Sequence, residues 1–175
     1  MRIVSFNINS VRARLHQLQA IIAKHKPDII GLQETKVHDD EYPHDAIQEM
    51  GYESYTHGQK GHYGVALLSK EKPLKIGKGF QGDNEDSQKR FIWAKFQTGK
   101  KPIFILNGYF PQGEERAHPV KFPAKKKFYR DLIKHLKRNH KSLDYLALMG
   151  DLNISPQDID IGIGEQNKAI KLYKK

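Results

Sequence analysis

Four apolar runs in this sequence each end on side chains that can handle a charged oxygen. Ile3-Val4-Ser5-Phe6 leads into Asn7, and Ile29-Ile30-Gly31-Leu32 leads into Gln33-Glu34. Ile103-Phe104-Ile105-Leu106 leads into Asn107 and Tyr109, and Leu146-Ala147-Leu148-Met149 leads into Asp151 and Asn153. Glu34 and Asp151 are hard oxygen donors suited to Mg²⁺, an ion that takes few carboxylates and keeps several waters. Asn7 and Asn153 offer amide oxygens to a metal or amide hydrogens to a phosphate oxygen, and Tyr109 offers a phenol. Gathered in one place, these groups would polarise a phosphodiester and activate a water. Singly, each has an ordinary structural use: the asparagines in turns or caps, Glu34 as an exposed acid, Asp151 in a turn, Tyr109 in packing. Their common position at strand ends, on a rigid scaffold facing a cleft, is what favours a site.

The elements that must position these groups can be read from periodicity. A buried strand is expected over residues 2–6. A helix follows, capped by Asn9 or Ser10, with Val11, Leu15, Leu18 and Ile22 inward and Pro27 as its stop. Strands are expected over 28–32, 52–57 and 63–69, the last two joined by the turn Gly58-Gln59-Lys60-Gly61, with a short helix over 43–51. A polar loop over 79–89 leads to strands at 90–96 and 103–106. A helix over 124–139 carries Phe128, Leu132 and Leu136 on one side, and a strand follows over 145–149. Strands and helices interleave with no internal repeat or low-complexity linker, so the expectation is one domain of α/β or α+β class.

Composition narrows the function classes. The 175 residues are 38% hydrophobic and 29% charged, ordinary for a soluble globular chain long enough to bury a core. No apolar run reaches the length of a membrane span, and the Met1-Arg2 start leads straight into a strand-like segment, so neither a span nor a signal peptide is expected. The absence of cysteine excludes disulfides, thiolate metal sites and cysteine nucleophiles, and fits a cytoplasmic protein. The net charge is +10, and residues 121–141 alone carry 9 basic side chains against 1 acidic one. A basic excess suits a polyanionic partner such as nucleic acid. In this segment it also fits a solvated helix face, the more ordinary use of such a charge run.

The run Pro27-Asp28-Ile29-Ile30-Gly31-Leu32-Gln33-Glu34-Thr35-Lys36 resembles the signature of the exonuclease III type of AP endonuclease, within the endonuclease/exonuclease/phosphatase superfamily. Ser5-Phe6-Asn7-Ile8-Asn9, residues 58–66, residues 107–113, residues 121–125 and residues 149–156 are similar to the same family, in order along the chain. The resemblance implies an α/β (α+β) sandwich of two packed β-sheets flanked by helices, four-layered, with the second sheet incomplete here. It implies that Glu34 binds the metal with Asn7 in the same shell, and that Asp151 moves a proton close to that metal. Asn153 would steady the phosphate and Tyr109 would hydrogen-bond it, with Asn153 also near the metal. Arg90 and Gln112 match positions near the DNA. The implied cofactor is Mg²⁺ or Mn²⁺, and the implied partner is double-stranded DNA with abasic sites or 3′ ends, cut by a monomer.

Family members continue well past residue 175 and there supply an Asp and an Asp-His pair. No histidine follows His140 in this sequence. The expectation is therefore a domain over 1–175 truncated at its C-terminus, with low or no turnover, or a fragment that holds DNA or metal without cutting. The likeness fails at about Ala169, so the expectation is a gene frameshifted or truncated near codon 168 with the last seven residues read out of frame, the alternative being deliberate trimming of the sequence; resequencing separates the two. A phosphoinositide, sphingolipid or signalling phosphodiester as substrate is disfavoured by the positive charge and by the likeness around 58–66 and 107–125.

Overall fold

The computed structural model describes residues 1–99, 101–155, 157 and 160. In chain order the elements are β1 (Ile3–Asn7), α1 (Leu15–His25), β2 (Ile29–Gln33), a 3-10 turn (Asp39–Glu41) and α2 (His44–Glu49). They continue as β3 (Glu53–His57), β4 (Val65–Ser69), β5 (Lys75–Lys78), β6 (Phe91–Thr98), β7 (Lys101–Tyr109), α3 (Lys121–Asn139) and β8 (Tyr145–Asp151).

The strands form two four-stranded sheets, ordered β1-β2-β4-β3 and β5-β6-β7-β8. Each sheet has one parallel pair, β1 with β2 and β7 with β8, and its remaining pairs are antiparallel. A parallel pair needs a long crossover, and α1 and α3 lie in these two connections. The second sheet, expected to be incomplete, holds as many strands as the first among the described residues.

Alternation along the strands sorts the core into three layers of contact. Ile29, Val65 and Leu67 of the first sheet meet Ile92, Ala94, Phe96 and Ile105 of the second. On the other face of the first sheet, Ile30, Leu32, Ala66 and Leu68 pack with Leu18 of α1 and Ile47 of α2. On the other face of the second sheet, Phe91 and Leu106 pack with Phe128 and Leu132 of α3. The order is helix, sheet, sheet, helix, the four-layered sandwich expected. Because β2 is covered on both sides, all five of its residues are buried, which explains its unbroken apolar run.

Three local expectations need correction. The first helix begins at Leu15 with no side-chain cap, not at Asn9 or Ser10. The backbone N–H groups of Ile8, Ser10 and Val11 donate instead to the carbonyls of Gln33, Glu34 and Thr35, so this stretch continues the β1–β2 contact rather than winding up. Strand β5 was not expected, because its four residues include only one large apolar side chain, Ile76, and it gains definition only against β6. Helix α3 starts three residues early, with Pro123 in the first turn, where a missing N–H costs nothing. The expected break near Ala169 and the altered tail lie outside the described residues.

Two buried amides tie the sheets together. Asn107 of β7 has no exposed surface. Its Nδ2 donates to the carbonyls of Leu32 and Ala66, both at 2.9 Å, so it straddles β2 and β4 of the opposite sheet. Its Oδ1 accepts from Gln33 Nε2 at 2.6 Å. The side chain fits because residue 31 is glycine: a Cβ there would lie 2.9 Å from Asn107 Cγ. Asn107→Ala removes three buried hydrogen bonds and leaves their partners unpaired, each loss being about 1–3 kcal/mol. The expected result is a drop in unfolding free energy of about 3 kcal/mol or more, measured as a lower urea midpoint at unchanged slope.

Candidate active site

Strand register places the functional groups before any side chain is considered. Asn7 is paired with Gln33 across β1 and β2, so Glu34 follows one residue beyond. Tyr109 is paired with Asp151 across β7 and β8. β1 and β8, edge strands of different sheets, lie against one another. Gly150 makes the β7–β8 approach possible: its φ is +144°, and a Cβ would strike the Gly108 carbonyl. All four strand ends therefore open on the same corner of the sandwich.

There the two acids share one amide. Asn7 Nδ2 donates to Glu34 Oε1 at 2.8 Å and to Asp151 Oδ2 at 2.9 Å. The Asn9 backbone N–H donates to Asn7 Oδ1 at 3.1 Å, which fixes the amide with its hydrogens toward the carboxylates. Asp151 Oδ1 accepts from the Asn153 backbone N–H at 3.2 Å. The Asn153 side chain turns the other way and donates to the Phe110 carbonyl at 2.9 Å. Lys36 Nζ lies 2.9 Å from Glu34 Oε2 and is steadied by Asn9 Oδ1 at 2.5 Å.

The protonation states follow from this packing. Burial pushes the Glu34 carboxyl up, but hydrogen bonds from Asn7, Lys36 and Tyr109 together outweigh it, and the group sits below its ordinary value. Burial, with the adjacent Glu34 charge, drives the Tyr109 phenol up to about 12. At neutral pH the corner thus holds a Glu34 carboxylate beside a phenol that keeps its proton.

Two carboxylates around a neutral amide suit a hard cation that retains water, as Mg²⁺ and Mn²⁺ do. The Lys36 ammonium already supplies positive charge to Glu34, as a cation would. No group of three or more His, Cys, Asp or Glu side chains that could hold a metal occurs among the described residues. The donor set fits the divalent ion expected, with Glu34 and Asp151 as its carboxylates.

Backbone strain gathers at the same corner. Asn9, Ser10, Glu34, Lys36, Tyr63 and Asn153 all have φ between 45° and 86°, a region that costs side-chain-bearing residues of order 1–3 kcal/mol. The strain is held by cross-loop hydrogen bonds, among them Ser10 N–H to Glu34 O at 2.7 Å and Lys36 N–H to Tyr63 O at 3.0 Å. Such conformations persist only where the surroundings over-determine them.

Of the expected residues, Asn7, Glu34, Tyr109 and Asp151 converge, and Asn153 joins through its backbone. Arg90 reaches the corner indirectly. Its guanidinium carbon lies 4.1 Å from the Tyr63 ring centre and 4.5 Å from that of Tyr109. Gln112 is exposed on the loop leaving β7, and its carbonyl accepts from Lys125 Nζ at 3.1 Å. Lys125 also donates to the Asn153 carbonyl at 2.6 Å, so this lysine of the basic segment braces the loops. Asn107 and Gln33, which end apolar runs like the others, are internal fasteners rather than reactive groups. Lys36 and Tyr63 lie in segments that resemble the family, with nothing in the sequence to assign them a role. Only the fold shows what they touch.

Comparison with known proteins places the sequence and the fold in one family. The model of the Endonuclease/Exonuclease/phosphatase family matches residues 4–169. The chain is 55% identical over 168 residues to exodeoxyribonuclease III of Haemophilus influenzae, covering 96% of itself and 63% of that protein. An AP endonuclease structure from Archaeoglobus fulgidus superposes with a TM-score of 0.82 at 32% identity, over 91% of this chain and 60% of that one. A 3′ phosphatase from Neisseria, bound to a product DNA hairpin, superposes with a TM-score of 0.78 at 33% identity, over 90% and 60%. The chain thus spans somewhat over half the length of these relatives. By its strand-end acids, its two-sheet sandwich and this match over nearly all its residues, the chain belongs to the endonuclease/exonuclease/phosphatase family.

Proposed function

We propose that this chain carries the acid pair of a metal-dependent DNA phosphodiesterase of the exonuclease III type, acting in the cytoplasm on abasic sites and 3′ ends. The observation that carries the reading is the convergence of Glu34 and Asp151 on the single Asn7 amide. A divalent cation, Mg²⁺ or Mn²⁺, held by Glu34 and Asp151 beside Asn7, would draw charge from the scissile phosphate. Tyr109, protonated, donates a hydrogen bond to a non-bridging phosphate oxygen as negative charge builds there. Asn153 has a second amide hydrogen for another such oxygen, its first being engaged by Phe110. Water attacks phosphorus and its proton passes to bulk water; the P–O3′ bond breaks on the 5′ side of the abasic residue, and Asp151 relays to the departing O3′ a proton taken up from solvent. The products carry a 3′-hydroxyl and a 5′-phosphate. Arg90 and Gln112, with the basic face of α3, supply positive and polar surface for the duplex.

A second reading is favoured by one observation. Among the described residues no further acid or histidine completes a metal group with Glu34 and Asp151, as expected of a unit that holds DNA or metal without turnover. A duplex with one abasic site, incubated with Mg²⁺ or with EDTA, separates the two. Metal-dependent nicking, abolished in Glu34→Gln and lowered about 10²-fold in Tyr109→Phe, is the result expected for a nuclease. Nicking indifferent to Glu34→Gln would sink that reading. Retarded DNA without nicking supports the second.

Two further outcomes follow. The Glu34 carboxyl lies below its ordinary value of 4.5 in the folded chain. Its contribution to stability is therefore full above that value and is lost as pH falls through the lowered one. Urea midpoints taken from neutral to acid pH should fall less steeply in Glu34→Gln. Lys126, Arg130 and Lys137 lie on the exposed face of α3. If they meet phosphates, neutralising all three should lower the slope of log K against log salt by roughly 2–3; an unchanged slope would leave this face merely solvated.

A further inference from the structure

Arg90 is held by two rings and at two of its three nitrogens. Its guanidinium carbon lies against both the Tyr63 and Tyr109 rings, 4.1 and 4.5 Å from their centres, in the angle that these two tilted rings make with each other. Along its edges, Nη1 donates to the Tyr109 carbonyl at 3.0 Å and Nε donates to Gln88 Oε1 at 2.6 Å. Gln88 Nε2 in turn donates to the Tyr63 hydroxyl at 2.9 Å. An arginine can only donate, so the Gln88 carboxamide has one workable orientation: oxygen toward Arg90, nitrogen toward Tyr63. One side chain thereby fixes both the guanidinium and one of the rings that cover it.

We propose that Gln88 is a positioning residue for Tyr109, acting through Arg90. Stacking alone lets a planar cation slide and turn over an aromatic face, because the attraction has little directionality in the plane. The hydrogen bond at Nε removes that freedom. With Nε fixed by Gln88 and Nη1 fixed on the Tyr109 carbonyl, the guanidinium becomes a rigid plate under the Tyr109 ring. The plate sets the angle at which the phenol meets Glu34. Tyr63 is a firm support because its own backbone, at φ 55°, is held by the Lys36 N–H on its carbonyl, while the Gly64 N–H beside it donates to the Lys89 carbonyl. The Arg90 carbonyl accepts the Tyr109 N–H at 2.8 Å, so the two residues are also linked through the backbone. Gln88 itself is exposed, and its replacement should therefore leave the fold intact.

The catalytic part of this proposal rests on the phosphodiesterase reading; the positioning part does not. Nuclear magnetic resonance of chain labelled at the tyrosine rings and arginine side chains tests it, with Tyr109→Phe to assign the Tyr109 signal. In Gln88→Ala the Arg90 Nε–H should exchange with solvent about tenfold faster, as loss of one charge-assisted hydrogen bond implies. The Tyr109 ring signal should move, with thermal unfolding unchanged. Gln88→Glu keeps an acceptor for Arg90 and should restore slow exchange. The shift of Tyr109 should vanish when Gln88→Ala is made in an Arg90→Met background. If the wild-type chain cuts DNA, kcat should fall several-fold in Gln88→Ala with little change in KM. An unmoved Tyr109 signal in Gln88→Ala overturns the proposal, and so does a shift that persists without Arg90. Expected movements in a wild-type chain that never cuts DNA would remove the nuclease reading and leave the positioning intact.

Discussion

The two carboxamides of Gln33 and Asn107, closed on each other inside the sandwich, are the constraint from which the active corner follows. A hydrophobic interface between sheets is forgiving: apolar side chains of about the right size repack after a small slide. Buried polar groups are not, because a displaced donor or acceptor has no water to turn to. Asn107 must find the Leu32 and Ala66 carbonyls and the Gln33 amide together, and only one offset of the sheets allows that. Glu34 comes one residue after Gln33, and Tyr109 two after Asn107. Locking the fasteners therefore also sets the distance between the carboxylate and the phenol.

The site is built on rigidity bought locally with strain. Residues around it take left-handed backbone angles, and the compensation comes from hydrogen bonds between loops that belong to different strands. The segment after β1 gives up helix formation so that its N–H groups can hold the loop after β2. The loop before β4 holds the loop after β2 from the other side, through the Lys36 N–H on the Tyr63 carbonyl. Asn7, with its hydrogens aimed at two acids and its oxygen held by Asn9, is the point at which these loops meet the chemistry.

Much of this was legible in the sequence, for definite reasons. Apolar runs ending in Asn7, Glu34, Tyr109 and Asp151 mark strands that end on polar side chains, and the fold brings these four together. The helix over Phe128, Leu132 and Leu136 was legible because its stripe repeats for several turns. Strand β5 was not, since Ile76 alone cannot make a period. The late start of α1 was not, because the competing partners of the Ser10 and Val11 amides are carbonyls more than twenty residues away. Asn107 and Asn7 both follow apolar runs, yet one fastens the core and the other faces the acids; residue type and spacing are the same for both. The bracing of Lys125 against two loop carbonyls was hidden for a similar reason, as a lysine in a basic run carries no mark of what its ammonium reaches.

The hydrogen bond between Asn7 and Asp151 has one further consequence, for how the protein comes into being. Its partners are 144 residues apart, so one of them leaves the ribosome long before the other. Until β8 is made and laid against β7, Glu34 and Asn7 stand as half of a pair. Contacts of such long range form late, because the chain between them must first be ordered. The chemical centre is thus assembled last. A chain made only as far as α3 already has the strands of the first sheet, but its acids are not yet paired.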